Sequence, residues 1–424
     1  MNDRILPFSA EVSGSEDGNK KEQLILVGIA GPDENETWDS LAELRELAKT
    51  AGAEAADVLV QSRARPDPAT YIGSGKLEEL RELLLVREAD GILCDDELTP
   101  VQMRNLEKEL SCKVIDRTLL ILDIFAARAT TSEGKLQVEL AQLQHRLTML
   151  TGRGTSLSRL GGGIGTRGPG EKKLETDRRR IRERISHLRG EMTEVRRHRN
   201  LLREGRQNKG LPTAAIVGYT NAGKSTLLNA LTNSDVPAQD KLFATLDPAT
   251  RLMVLPDGGE VLLTDTVGFI RKLPHHLVDA FRSTLEEARY ADLILHVVDA
   301  SSPQREKQMH VVYETLRDLK VENKPVITLF NKQDMVTDPD PVRDFRADHT
   351  LHISAAHGWG LSELQDLLQK LYTEKMIRIE RVYSYVQGGT LQLIRRYGRI
   401  LKESCEEDGI HVLALVPPEI YGRV

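Results

Sequence analysis

Cysteine is scarce in this chain. Cys94, Cys112 and Cys405 stand far apart with no C-x-x-C pairing, which argues against a disulfide framework and against a zinc site. A reducing cytosol is the expected compartment. Aromatic residues make up only 4%, which speaks against an all-β sandwich or a carbohydrate-binding protein. Long apolar runs are missing as well. No window approaches 18 uninterrupted apolar residues, and the opening MNDRILPFSAEVSGSEDGNKK has no basic stretch followed by an apolar core, so neither a membrane span nor a secretory leader is expected. The net charge of −6 shows no global basic excess, although an average can hide a local one.

What is present is patterned. With 424 residues, the chain exceeds the roughly 250–300 residues at which one core stops growing, so two or three domains are expected. Residues 1–22 are expected to be disordered. QLILVGIA, ADVLV, GILCDD and CKVID read as short buried strands, with helical patterns at 37–51, 75–89 and 99–111 between them. Such alternation means βαβ crossovers and a small parallel α/β domain over 23–128. Leu136, Leu140, Leu143, Leu147 and Leu150 then recur at helical steps, as do Leu174, Ile181, Ile185, Leu188, Met192 and Val195. Two such seams predict an antiparallel helical hairpin over 129–208, each stripe covering the other. The strand candidates TAAIVG, LMVLP, EVLLTD, LILHVVDA, PVITLF and TLHIS predict a doubly wound α/β domain over 209–374. Residues 375–424 predict a small α/β appendage, with a helix around 390–406.

GYTNAGKS, Gly218–Ser225, matches G-x-x-x-x-G-K-[ST] and lies between the apolar strand AAIV and the helix former TLLNAL. Backbone N–H groups of such a loop wrap phosphates, and the following helix adds its dipole. Gly218, Tyr219, Thr220, Asn221, Ala222, Gly223, Lys224, Ser225 and Thr226 are therefore the candidate phosphate-binding residues, with Lys224 reaching the β- and γ-phosphates. DTVG supplies Asp265, Thr266, Val267 and Gly268 at a strand's carboxyl end, where Asp265 can hold Mg²⁺ through water and the Gly268 N–H can sense the γ-phosphate. NKQD supplies Asn331, Lys332, Gln333 and Asp334. A carboxylate there accepts from guanine N1–H and the 2-amino group, which adenine cannot match, so guanine is favoured. Ser354, Ala355 and Ala356 end the last strand, with the Ala355 N–H expected to face guanine O6. LFATLDPATR adds Phe243, Ala244, Thr245, Leu246 and Asp247 on a loop ordered by the γ-phosphate. The expected Mg²⁺ ligands are Ser225, Thr245 and Asp265, and the expected catalytic groups are Lys224, Thr245 and Gly268.

A competing phosphate motif fails on context. GGGIGTRGPG places Gly163, Gly165 and Gly168 at G-x-G-x-x-G spacing, but it follows a helix, carries Pro169 at its exit and lacks an acidic residue on a second strand about 20 residues on.

The motifs GYTNAGKS, LFATLDPATR, DTVGFI, NKQD and SAA, together with IDRTLLILDIFAARA, EGKLQVELAQLQ, GGGIGTRGPGE and LETDRRRIR, resemble the HflX family of translation-factor-type GTPases. The resemblance implies a monomeric cytoplasmic GTPase that binds GTP and GDP, associates with the large ribosomal subunit and splits stalled or idle ribosomes. Asn221 resembles the P-loop asparagine of potassium-activated GTPases, so K⁺ beside the phosphates is a second implied ion; a plain turn asparagine is the alternative. Ras-like enzymes place a water-orienting Gln after the DxxG glycine. Phe269 stands there, so slow intrinsic turnover and outside help from a partner or a cation are expected. His275 and His276 suit an amphipathic helix better than a general base.

Residues 171–209 carry twice as many Lys and Arg as Asp and Glu. Either they make i,i+4 pairs such as Glu175 with Arg179, or, with the cationic Gly-rich tip, they bind ribosomal RNA. Two other readings have less behind them, since the first lacks the full P-loop and has a structural turn as its alternative, and the second has no catalytic cysteine motif to support it. YIGSGKLEEL, 71–80, sets Gly73, Gly75 and Lys76 before a helix, as a second nucleotide module for ATP would, and a GTPase acting in tRNA modification is the other.

Overall fold

The computed structural model describes residues 21–151, 169–207, 211–234, 242–243, 246, 248–272, 287–321, 323–336 and 343–424. The chain divides into two compact units. The first comprises Met1–Thr193, Asp240–Leu246 and Arg271–Phe281. Its sheet is all parallel, with strand order β2-β1-β3-β4 from β1 (Gln23–Ala30), β2 (Glu54–Ser62), β3 (Gly91–Cys94) and β4 (Lys113–Asp116). Helices α1 (Glu34–Ala51), α2 (Ser74–Val86), α3 (Pro100–Leu110) and α4 (Arg117–Arg128) alternate with these strands. Leu24, Ile25, Leu26, Ile92, Leu93 and Cys94 are fully buried, as expected where helices cover both faces of a parallel sheet. Local signals set the ends. Asp33 accepts from the N–H groups of Asn35 and Glu36 at the start of α1, and Gly52 at φ +93° stops that helix; Thr99 and Gln102 form a capping box on α3.

Arg117, the first residue of α4, is only 1% exposed. Its guanidinium donates to Asp95 Oδ1 at 2.8 Å, Glu43 Oε1 at 2.7 Å, the Ser40 carbonyl at 3.0 Å and the Arg271 carbonyl at 3.3 Å. Lys272 bridges Asp95 at 2.5 Å and Asp96 at 2.7 Å. Burial alone would raise the Asp95 carboxyl, but Arg117 and Lys272 hold it below its ordinary value.

Helices α5 (Ser132–Thr151) and α6 (Pro169–Gln207) follow. Leu143 and Leu150 pack with Ile181, Ile185 and Leu188, and Leu136, Leu140 and Leu147 join them. Arg178 donates to the Leu150 carbonyl while Arg184 pairs with Glu139, so the two helices run antiparallel.

The second unit, Glu194–Gln239, Asp247–Ile270 and Arg282–Val424, holds a six-stranded sheet ordered β10-β9-β8-β5-β7-β6. Its strands are β5 (Thr213–Gly218), β6 (Ala249–Val254), β7 (Glu260–Asp265), β8 (Leu293–Asp299), β9 (Val326–Asn331) and β10 (His349–His352), all parallel except β6. Among the described residues it also holds helices α7 (Lys224–Thr232), α8 (Arg305–Asp318) and α9 (Leu361–Glu374). The appendage consists of β11 (Ile377–Tyr383), α10 (Gly388–Tyr397), β12 (Arg399–Glu406), β13 (Gly409–Val416) and α11 (Pro418–Tyr421), its three strands antiparallel in the order β11-β13-β12. The helix expected around 390–406 ends at Tyr397. At Gly398 a Cβ would lie 2.8 Å from the Leu415 carbonyl, so the chain passes tight against β13 and continues as a strand paired with it. No helix among the described residues is long and apolar enough to cross a membrane.

Candidate nucleotide site

Between the end of β5 and the start of α7, residues 218–223 turn at a helix N-terminus, where free N–H groups and the helix dipole favour an anion. Asn221 sits at φ +60° and Gly223 at φ +94°. A Cβ on Gly223 would lie 2.3 Å from Asn331 Nδ2, so only glycine lets the loop close onto that side chain. Lys224 Nζ folds back to donate to the Tyr219 carbonyl at 2.7 Å. Burial lowers its pKa to about 8, against the opposing pull of Asp265. A desolvated ammonium of this kind gains most from an anion placed beside it.

Asp265 ends β7 fully buried and accepts from Ser225 Oγ at 2.7 Å. A hydroxyl and a carboxylate are hard oxygen donors, so this pair fits Mg²⁺. Thr266 anchors the next step by donating to the Ile216 carbonyl at 2.8 Å. Gly268 then passes so close to the loop that a Cβ would meet Thr220 Cα at 2.8 Å and Lys224 Nζ at 3.0 Å. Beyond it the backbone is clipped to the P-loop: Thr220 N–H donates to the Phe269 carbonyl at 2.8 Å, and Phe269 N–H to the Gly218 carbonyl at 3.1 Å. The Phe269 ring is 2% exposed. It has no means of orienting a water.

On the base side, Asn331 Nδ2 donates to the Ala222 carbonyl at 2.9 Å, and its Oδ1 accepts the Ala355 N–H at 2.9 Å. The Ala355 N–H, expected to face guanine O6, is thus directed at Asn331. Lys332 pairs with Asp299 at 2.7 Å, and the Gln333 side chain donates to the Phe330 carbonyl at 3.2 Å. Asp334 Oδ1 accepts from Ser354 Oγ at 2.5 Å, a bond that holds its carboxyl below the ordinary value.

Three family models match the chain: a GTP-binding GTPase N-terminal region at 38–126, a GTP-binding GTPase middle region at 128–206, and a 50S ribosome-binding GTPase at 213–332. The GTPase HflX of Lacrimispora saccharolytica is 57% identical over 404 residues, covering 95% of this chain and 96% of that protein. The chain belongs to the HflX GTPase family. It is accordingly a GTP-hydrolysing enzyme with a P-loop GTPase domain. The HflX of Escherichia coli is 43% identical over 415 residues, covering 95% of each chain. A GTP-binding protein from the archaeon Sulfolobus solfataricus, solved in complex with GDP, is 24% identical with a TM-score of 0.43, covering 83% of this chain and 99% of that one.

Of the motifs on which the HflX resemblance rests, the structure gathers the P-loop, DTVG, NKQD and SAA at the carboxyl edge of one sheet. Ala244, Thr245 and Asp247 lie outside the described residues, as do His275, His276 and residues 161–168. Phe243 lies in the first unit, edge-on to Phe125 with ring centroids 4.7 Å apart. Gly73 N–H donates to Gln61 and Lys76 pairs with Glu79, so two groups proposed to hold a second phosphate are engaged within the protein. Sequence reasoning missed Arg117 and Lys272, because nothing local marks Arg117 as buried or places Lys272 beside Asp95 and Asp96.

Proposed function

We propose that this GTPase associates with the large ribosomal subunit and splits stalled or idle ribosomes, with the GTP state setting its grip on ribosomal RNA. The observation that favours RNA is the charge left over on α6. Many of its arginines are engaged: Glu175 pairs with Arg178 and Arg182 in place of the expected Arg179, Arg179 with Glu183, Arg184 with Glu139, Arg197 with Glu194 and Arg199 with Glu287. Arg180, Arg189 and Arg196 make no ion pair among the described residues, and phosphate backbones attract such residual cations through counterion release. The family description of the 213–332 match, a 50S ribosome-binding GTPase, points to the same partner.

In this scheme the N–H groups of 218–225 cradle the phosphates, Lys224 neutralises the β- and γ-oxygens, and Gly268 reports the γ-phosphate to the segment after it. Ser225, Asp265 and Thr245 would hold Mg²⁺, which supplies charge compensation when bound. With Phe269 buried, hydrolysis draws its missing electrostatics from the partner, or from K⁺ held near Asn221. Sedimentation of ribosomes with the protein and GTP, against GDP, tests the assignment: subunits separate only with GTP, and equal profiles refute it. Equal turnover in K⁺ and Na⁺ removes the potassium role.

A further inference from the structure

The loop SAAHGWG, 354–360, closes on itself. Ser354 N–H donates to the Trp359 carbonyl and Trp359 N–H to the Ser354 carbonyl, both at 3.1 Å. Gly358 and Gly360 take left-handed turns at φ +76° and +70°. The turn brings His357 against Trp359, with rings 5.3 Å apart and tilted by 34°. His357 Nδ1 thereby lies 3.1 Å from Ser354 Oγ and 3.7 Å from Asp334 Oδ1. Chemistry decides which atom gives each hydrogen. An ionised carboxylate has none to donate, so the 2.5 Å contact between Ser354 Oγ and Asp334 Oδ1 uses the hydroxyl hydrogen. With that hydrogen committed, Ser354 Oγ can only accept from the ring, and His357 Nδ1 is the protonated nitrogen. A directed chain runs from imidazole to hydroxyl to carboxylate.

We propose that His357 is a positioning residue for purine selection: by donating to Ser354 Oγ it fixes the hydroxyl rotor and aims the Asp334 carboxylate at guanine. The proposal rests on Asp334 as the guanine reader. Without the ring, Ser354 Oγ accepts only the longer bond from the residue 357 N–H at 3.4 Å, and the Asp334 side chain is 21% exposed, so water competes for its oxygens. Two bonds in series polarise each other and hold one orientation. Ser354, fully buried, is the fixed middle link.

The test is equilibrium binding of GDP and of inosine diphosphate to the full chain and to its His357→Ala, His357→Asn and Asp334→Asn variants. Inosine lacks the 2-amino group, so the ratio of the two affinities reads how well the carboxylate is aimed. His357→Ala is expected to weaken GDP binding about ten-fold and to narrow the ratio about three-fold, the scale of one lost hydrogen bond and its orientation. His357→Asn, whose amide can still donate, should recover GDP affinity to within about two-fold. The His357 side chain is 53% exposed, so both variants should keep the parent melting midpoint. An unchanged ratio in His357→Ala, while Asp334→Asn loses GDP and gains xanthosine diphosphate, overturns the relay alone. Retained GDP preference in Asp334→Asn overturns the guanine assignment and the relay with it.

Discussion

The parallel strands of two sheets in this molecule end in opposite chemistry. In the second unit the carboxyl ends of β5, β7 and β9 present Gly218–Ser225, Asp265 and Asn331–Asp334, the edge at which open α/β sheets take ligands. In the first unit the carboxyl ends of β3 and β4 deliver Asp95, Asp96, Asp116 and Arg117. There Ser40, Glu43 and Asp95 satisfy the guanidinium, and Lys272 completes the cluster. Topology nominates both edges. Side chains decide whether a ligand or the protein's own charges fill them.

The contrast can be broken first at the charge cluster. Asp95→Ala leaves Arg117 buried and short of its carboxylate, and should cost about 3–5 kcal/mol in urea unfolding, whereas a loss under about 1 kcal/mol would show that the cluster is solvated after all. Lys224→Ala should slow GTP hydrolysis about 10²–10³-fold in a phosphate-release assay at saturating GTP, with the melting midpoint little changed. The third effect is graded. The Lys224 pKa of about 8 means that below pH 8 the ammonium is already charged, and GDP affinity should be flat. Above pH 8 the bound phosphates must recruit a proton, so affinity should fall by up to about ten-fold per unit in titrations between pH 7 and 10. Affinity that holds steady to pH 10 would place Lys224 outside the phosphate site. Lys76→Ala should do least. Its pair with Glu79 is a surface one worth under about 1 kcal/mol, and labelled ATP should bind the variant and the parent alike. A selective loss would make the first sheet a second nucleotide site and erase the contrast.

The second sheet's edge was legible because each of its parts is local. A strand, a glycine loop and a helix lie in one unbroken stretch at 213–232, and DTVG and NKQD each sit on the last residues of an apolar run. The first sheet's cluster was not legible. Arg117 meets Asp95, Glu43 and Ser40 from 22, 74 and 77 positions away, and alone it reads as an ordinary charged residue opening a helix. The segment after Gly398 misled for a related reason. Its helical-looking spacing is overruled by pairing with β13, a tertiary contact that no window of neighbours reveals. The His357 chain falls between the two cases: the glycines of HGWG announce a turn, but which hydroxyl the ring meets depends on the closure of that turn.

Asn331 joins β9, the Ala222 carbonyl and the Ala355 amide through bonds that the chain makes to itself. In mechanical language, the loop proposed to take the phosphates and the strand end proposed to read the base share one tether. Loosening that one side chain should therefore disturb both walls of the candidate site together.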